Sequence, residues 1–489
     1  MEIEIKNFGP IDSLKFNLNK DLHLIYGQNA IGKSYATYCL YCLIKNIKNK
    51  SIGNRHIYYY EKRDENAYGK FIKSKIKNLK PNKSIDCTND FTKLIEIELK
   101  EVILKSLQNS LLNTFSSLKN LKNRYSNKNY ELIISISKNE KLSIFSNDEG
   151  ELDLKYENEI KKIELFQKET KSTKYSLILN NRKEFGKPTE EEFVHEFIRF
   201  SYLKVNQILR KLDYNIKDVY YLPASRSGLY QALSAFTPII AELTQNRFFI
   251  QNKSIELPSL SEPLADYFID LSTVNKKHNN KEFEGIVKLL QNEILKGKVD
   301  YNDETRRILY QPDGIDLELN LSEASSMVSE LSPLVLYFKH ILNNKYSSVN
   351  NRDNYFFDPY YNEPYGRRKN KGYDILFIEE PEAHLHPEVQ VKLIEIFAKL
   401  TGLNLKIFIT SHSNYMFNKI NNILIKKEIE QDKVMVYHLI KTVDGTTVNS
   451  EMKVTEDGID DANFQDVSEQ LYYERLSYLE KNDWNYKLS

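Results

Sequence analysis

The sequence predicts an α/β fold with an antiparallel β lobe and a helical insertion, and three observations carry that prediction. The apolar run "LHLIY" (22–26) enters the glycine-bearing stretch "GQNAIGKS" (27–34), and "YATYCLYCLIKNI" continues as a helix without a breaker. Far downstream, "DILFIEE" (374–380) and "LKIFITSHS" (405–413) read as strands on either side of the helical pattern "PEVQVKLIEIFAKL" (387–400), the alternation of an α/β fold. Between these ends, "LIISIS" (132–137), "LSIF" (142–145) and "YSLIL" (175–179) suggest antiparallel strands.

Taken in order, residues 2–26 read as short strands, with Ile3 and Ile5, then Leu14, Phe16 and Leu18, alternating with polar residues. Residues 45–83 are basic, with twelve Lys or Arg against Glu61, Asp64 and Glu65. A Thr189-x-x-Glu192 capping box after Pro188 opens a helix over 189–212. "VYYLPASRSGL" (219–229) is a strand then a loop, and 230–296 is largely helical. Asp313-Gly314 predicts a hairpin turn between "RRILY" and "IDLELNL". Residues 322–342 form a loop entering a helix, 344–372 a polar, aromatic loop, and the chain from Asn414 looks mixed. No internal repeat or long heptad run is visible, so a long coiled-coil arm is not expected.

Composition narrows the class. At 489 residues the chain is long enough for two lobes, and its net charge of +1 gives no global attraction to nucleic acid or membrane. No apolar run is long enough to span a bilayer, and the charged start "MEIEIKNFGP" is no signal peptide. Cys39, Cys42 and Cys87 leave no disulfide framework, which fits a reducing cytosol and a cytoplasmic protein. Cys39 and Cys42 sit at helical spacing, where core packing is the better reading than a metal site. The basic stretches 45–83 and "GRRKNKG" (366–372) could touch phosphate backbones or be solvated faces, and no aromatic platform accompanies them.

The chemistry concentrates in three places. Gly27, Gln28, Asn29, Ala30, Ile31, Gly32, Lys33, Ser34 and Tyr35 make a triphosphate cradle, because glycines let backbone N–H groups turn inward and the following helix adds its positive end. Lys33 would reach the outer phosphates, and the Ser34 hydroxyl would bind Mg²⁺. Ala30 departs from the usual glycine and is tolerable if its φ is negative. At the end of "ILFIEE", Glu379 is assigned to the metal and Glu380 to polarising the attacking water. His412 in "TSHS" is assigned to the terminal phosphate. Glu382, His384 and His386 lie too close on one turn to converge on a metal, and a loop facing a second copy is expected. Arg226 could contact nucleotide or the opposite copy, or form a structural salt bridge.

With these residues in view, N-F-G-P-I, GxNxxGKS, EEPEAHLHP and T-S-H-S resemble the ABC-type ATPase heads of the RecF, Rad50 and overcoming-lysogenization-defect (OLD) lineage. The resemblance implies a P-loop NTPase of the ABC/SMC head type, with ATP and Mg²⁺ as cofactors. "YLPASRSGL" and "VMVYHLIKTVDGTTV" are similar to one subgroup, the stand-alone AAA-type ATPases (AAA_15/AAA_21-like) of bacterial anti-phage defence, such as PARIS-type and Septu-type systems. The resemblance runs from Ile3 to about Tyr473. It implies nucleotide sandwiched between two heads, in a homodimer or higher homo-oligomer, with a signature segment at Ala324–Ser329 whose Ser325 faces the other head's nucleotide. Where the family has glycines, this segment has Ser326 and Met327, so slow hydrolysis or an assembly other than a simple sandwich dimer is expected.

The expected division is 1–44 for the first part of the head, 45–186 for a basic and antiparallel β lobe, 187–296 for the helical insertion, and 297–489 for the rest of the head. Only 77 residues follow His412, too few for the nuclease domain of OLD-type proteins, so no nuclease is expected in cis. The implied role is an oligomeric switch that senses phage infection and controls an effector encoded alongside, a toxin or nuclease, with DNA or a phage protein as trigger and no membrane partner. A RecF-like DNA-binding repair ATPase is the alternative, and a transporter subunit is disfavoured by the poor signature and the large 45–320 insertion.

Overall fold

The buried strands of the sequence meet in one large sheet. The computed structural model describes residues 1–48, 67–158, 160–169, 173–213, 215–230, 260–343, 372–449, 454–455, 458–459 and 471–477. Strands β1 (Glu2–Phe8) and β2 (Ile11–Asn17) form a hairpin, and β3 (Leu22–Gly27) runs into the glycine loop and helix α1 (Lys33–Lys48). Helices α2 (Ala67–Lys77) and α3 (Thr88–Phe115) flank the short β4 (Ser84–Asp86). There follow β5 (Glu131–Ser137), β6 (Glu140–Ser146), β7 (Leu152–Glu157), β8 (Ile163–Glu169), β9 (Thr173–Leu179) and β10 (Arg182–Lys187). Helix α4 (Glu190–Asp213) starts where the capping box predicts, with the Glu192 N–H donating to Thr189 Oγ1 at 3.2 Å, and leads to β11 (Ile216–Leu222).

The second half begins with α5 (Glu262–Ser272) and α6 (Glu284–Leu289), then the hairpin of β12 (Gly297–Asn302) and β13 (Arg307–Pro312). A short β14 (Leu319–Asn320) and α7 (Ser326–Leu336) precede β15 (Tyr373–Glu379). Then come α8 (Pro387–Lys399), β16 (Leu405–Ser411), α9 (Asn414–Ile425), β17 (Val434–Thr442) and β18 (Gly445–Val448).

The main sheet runs β11-β15-β16-β3-β17-β18-β2-β1-β5-β6-β7. Its first five strands are parallel and buried on both faces, which is why they read as unbroken apolar runs rather than as alternations. Alternate residues enter two cores. Ile25, Ile375, Phe377 and Phe408 pack with α1, α3 and α4, while Leu24, Leu376, Ile378 and Ile409 pack with α6 to α9 and the β12–β13 hairpin. Cys39 and Cys42 are buried on α1 in the first core, and burial pushes both thiols above their ordinary range.

Several sequence expectations change here. The antiparallel lobe is split: β5 to β7 extend the main sheet through β1, whereas β10-β9-β8-β4 form a separate four-stranded sheet. β11 falls inside the expected helical insertion yet lies at the edge of the main sheet beside β15, because its apolar run has both faces covered. The Asp313-Gly314 turn does not join two full strands. β13 pairs with β14 over only two positions, and its long partner is β12, which precedes it. Among the described residues no helix is long and apolar enough to cross a membrane. The basic residues of 49–66, "GRRKNK" (366–371) and residues 231–259 of the expected helical stretch lie outside the described residues.

Candidate nucleotide site

Parallel register brings the separated motifs together. β15 pairs with β16 so that Glu379 lies opposite Thr410, and β16 pairs with β3 so that Thr410 lies opposite Ile25 and Ser411 opposite Tyr26. The carboxyl ends of three neighbouring strands therefore deliver Glu379–Glu380, His412 and the glycine loop to one crevice, the usual ligand position in such sheets.

The loop has the backbone a phosphate cradle needs. Gly32 has φ +102, and a Cβ there would stand 2.7 Å from Pro10 Cγ, so only glycine fits between the loop and the β1–β2 turn. Gln28, Asn29, Ala30 and Ser34 are exposed, and Ile31 is buried. The β17–β18 hairpin of the C-terminal segment, not anticipated from the sequence, holds the loop from behind. Leu439 of β17 lies opposite Gly27, and Thr446 Oγ1 on β18 donates to the Ile31 carbonyl at 2.6 Å.

Ala30 has φ +59, so the condition for its easy acceptance is not met: the residue sits in the left-handed region where a Cβ crowds the backbone. Ala30→Gly is expected to raise stability by about 1 kcal/mol, net of glycine's greater freedom in the unfolded chain. Urea unfolding would check this, and an unchanged or lower midpoint would show that the loop is not held in that conformation.

Lys33 is buried, and its Nζ donates to the carbonyls of Gly27 at 2.9 Å and Gln28 at 3.0 Å. Burial lowers its pKa to about 8 against the opposing pull of Glu380, Glu382 and Glu379. Nζ also lies 3.4 Å from His412 Nδ1, while His412 Nε2 is 3.3 Å from Glu380 Oε1. Both contacts are met when Nε2 carries the proton, donating to Glu380 as Nδ1 accepts from Lys33. This hydrogen bond, more than any other cause, holds Glu380 below the usual carboxylate range, so it is ionised and available to accept a proton contact from water.

Glu379 is in a different setting. It is 5% exposed, and burial raises its pKa against the Ser34 hydroxyl, the Tyr221 hydroxyl and the Ala224 N–H. Its Oε1 is buried with no hydrogen-bond partner among the described residues. An orphaned carboxylate oxygen beside a serine hydroxyl suits a hard divalent cation that takes oxygen donors, which Ser34 and Glu379 could hold.

Other assignments are redirected. Glu382 does not simply face outward: its Oε1 accepts from Ser411 Oγ at 2.8 Å and from the His412 N–H at 2.6 Å, fixing the turn that carries His412. His384 and His386 are exposed, and His386 caps α8 by accepting from the Glu388 N–H. Arg226 is the structural ion pair rather than a surface contact, being 1% exposed and 3.4 Å from Glu330. Tyr35 packs edge-on to Phe8, and its hydroxyl accepts from Arg124 Nη2 at 2.6 Å. Ser325 stays outside this cluster. It is exposed at the N-cap of α7, where its Oγ accepts from the Val328 N–H at 3.4 Å.

No curated protein matches the sequence. Solved structures similar to it include the SmcHead bound to the C-winged helix domain of ScpA, at 12% identity and TM-score 0.35 over 92% of this chain and 96% of that one. The SMC head domain from Thermotoga maritima follows at 10% identity and TM-score 0.31, over 92% and 97%. The Smc head domain with an extended coiled coil, bound to the C-terminal domain of ScpA derived from Pyrococcus furiosus, matches at 11% and 0.31, over 97% and 98%. The AAA ATPase domain family (AAA_15) matches residues 1–417, a span that takes in the glycine loop, Glu379, Glu380 and His412, and the chain belongs to that family.

Proposed function

We propose that the protein binds ATP with Mg²⁺ through Gly27–Tyr35 and Glu379, hydrolyses it with Glu380 as general base, and works as a self-associating switch. The observation that carries this reading is the Lys33–His412–Glu380 chain at the ends of three adjacent strands, with the orphaned Glu379 oxygen beside Ser34. Lys33 would leave the loop carbonyls for the phosphates, and His412 would face the terminal phosphate while keeping Glu380 oriented. Mg²⁺ held by Ser34 and Glu379 would offset charge on the phosphate oxygens.

Self-association is supported by α7, whose N-terminus exposes Ser325 and Ser326 away from the hydrogen bonds of its own nucleotide site. A helix N-terminus, whose first-turn N–H groups have no carbonyl partner within the helix, suits an anion on a second copy. The resemblance of "YLPASRSGL" and "VMVYHLIKTVDGTTV" to stand-alone defence ATPases supports control of a separately encoded effector, with phage infection as the trigger and the cytoplasm as the setting. The test is the solution mass of wild type and Glu380→Gln with and without ATP·Mg²⁺. A rise in mass with ATP, persisting in the variant, is the expected result, and one constant mass in every condition would count against an ATP-driven switch.

A further inference from the structure

Arg226 and Glu330 form the most completely buried ion pair among the described residues, with side-chain exposures of 2% and 0%. The guanidinium joins three elements. Its Nη1 donates to the Pro223 carbonyl after β11 at 3.0 Å and to the Glu379 carbonyl at the end of β15 at 2.8 Å. Its Nε donates to the Glu330 carbonyl within α7 at 3.0 Å. The Glu330 carboxylate in turn accepts from the Arg226 N–H at 3.1 Å, the Ser227 N–H at 3.2 Å and Ser227 Oγ at 2.6 Å.

A buried ion pair of this kind contributes little net stability, because desolvation offsets most of the attraction, and apolar residues often serve as well. Apolar residues could not hold three carbonyls from three elements. The carbonyl that matters is that of Glu379, since it belongs to the peptide leading to Glu380. That peptide is gripped on both sides, by Arg226 at its oxygen and by the Thr410 carbonyl, which accepts from its Glu380 N–H at 2.9 Å. Glu380 itself has φ +41, a left-handed conformation that persists only when its surroundings enforce it. At the other end of the pair, Glu330 lies five residues after Ser325, about 7.5 Å along the helix from the exposed N-terminus of α7.

We infer that the buried Arg226–Glu330 pair is a positioning strut between α7 and the Glu379–Glu380 peptide, which holds the aim of the Glu380 carboxylate. The inference rests on the ATPase reading above and adds the residues that would position its general base. Arg226 touches neither nucleotide nor water in this scheme; it acts through the backbone of Glu380.

The test compares wild type with Glu330→Gln and with the double variant Arg226→Met/Glu330→Leu, which replaces the pair by apolar groups so that a folded protein is obtained. ATP affinity, kcat and KM are measured over a range of protein concentrations. The expected result for both variants is an ATP Kd within about twofold of wild type and a kcat lower by about 10–100-fold. A folded double variant with wild-type kcat would overturn the strut. So would a parallel fall of bound nucleotide and kcat in proportion to the folded fraction, which is what a purely structural pair gives. A wild type that neither binds nor hydrolyses ATP would overturn the ATPase reading itself, and the strut with it.

Discussion

Glu380→Gln is expected to slow ATP hydrolysis by about 10²–10⁴-fold while ATP affinity changes only a few-fold. The reason is the contrast between the two adjacent carboxyls. Glu380 is half-exposed and held ionised chiefly by His412 Nε2 at 3.3 Å, so it can accept a hydrogen bond from an attacking water. Glu379 is buried beside Ser34 and suited to a cation. Glutamine keeps the size and one acceptor oxygen but loses the negative charge that polarises water. Single-turnover hydrolysis, with nucleotide binding measured separately, checks this. Hydrolysis at the wild-type rate would remove Glu380 from the chemistry.

Lys33→Ala is expected to weaken ATP binding by about 10–150-fold, the worth of one charge-assisted contact of about 1.5–3 kcal/mol. The same lysine gives the binding a pH dependence of definite sign. Its pKa in the free protein is lowered to about 8 by burial, whereas a bound triphosphate would raise it, so ATP prefers the protonated form. Affinity should therefore be full below about pH 7 and fall as pH rises through 8. Equilibrium titration with a fluorescent ATP analogue from pH 6.5 to about 9.5 would show the decline in wild type and its absence in Lys33→Ala. A flat wild-type profile would mean that Lys33 is not the group engaging the phosphates.

The glycine loop was legible because its pattern is local. The glycine spacing, Lys33, Ser34 and the strand–loop–helix context occupy one short stretch, and the strand carrying Glu379 and Glu380 announces itself as an apolar run that ends in charge. Local sequence could also place the start of α4 at Thr189. It could not show that Glu382 turns inward to His412 or that Ala30 takes a positive φ. Those features depend on which backbone groups a neighbouring strand presents.

What the sequence by itself determined is therefore the α/β class, the strand–loop–helix order, and the residue types proposed for phosphate and metal, because each follows from side-chain chemistry at short spacing. The tertiary structure alone decided how far-apart segments share a site. β11 joined the main sheet from within an expected insertion, β17 and β18 closed behind the glycine loop, and the salt bridge open to Arg226 found its partner in Glu330, more than a hundred positions away. Such pairings are fixed by parallel register and by the need to satisfy every buried polar group, and neither is written in any single stretch of the chain.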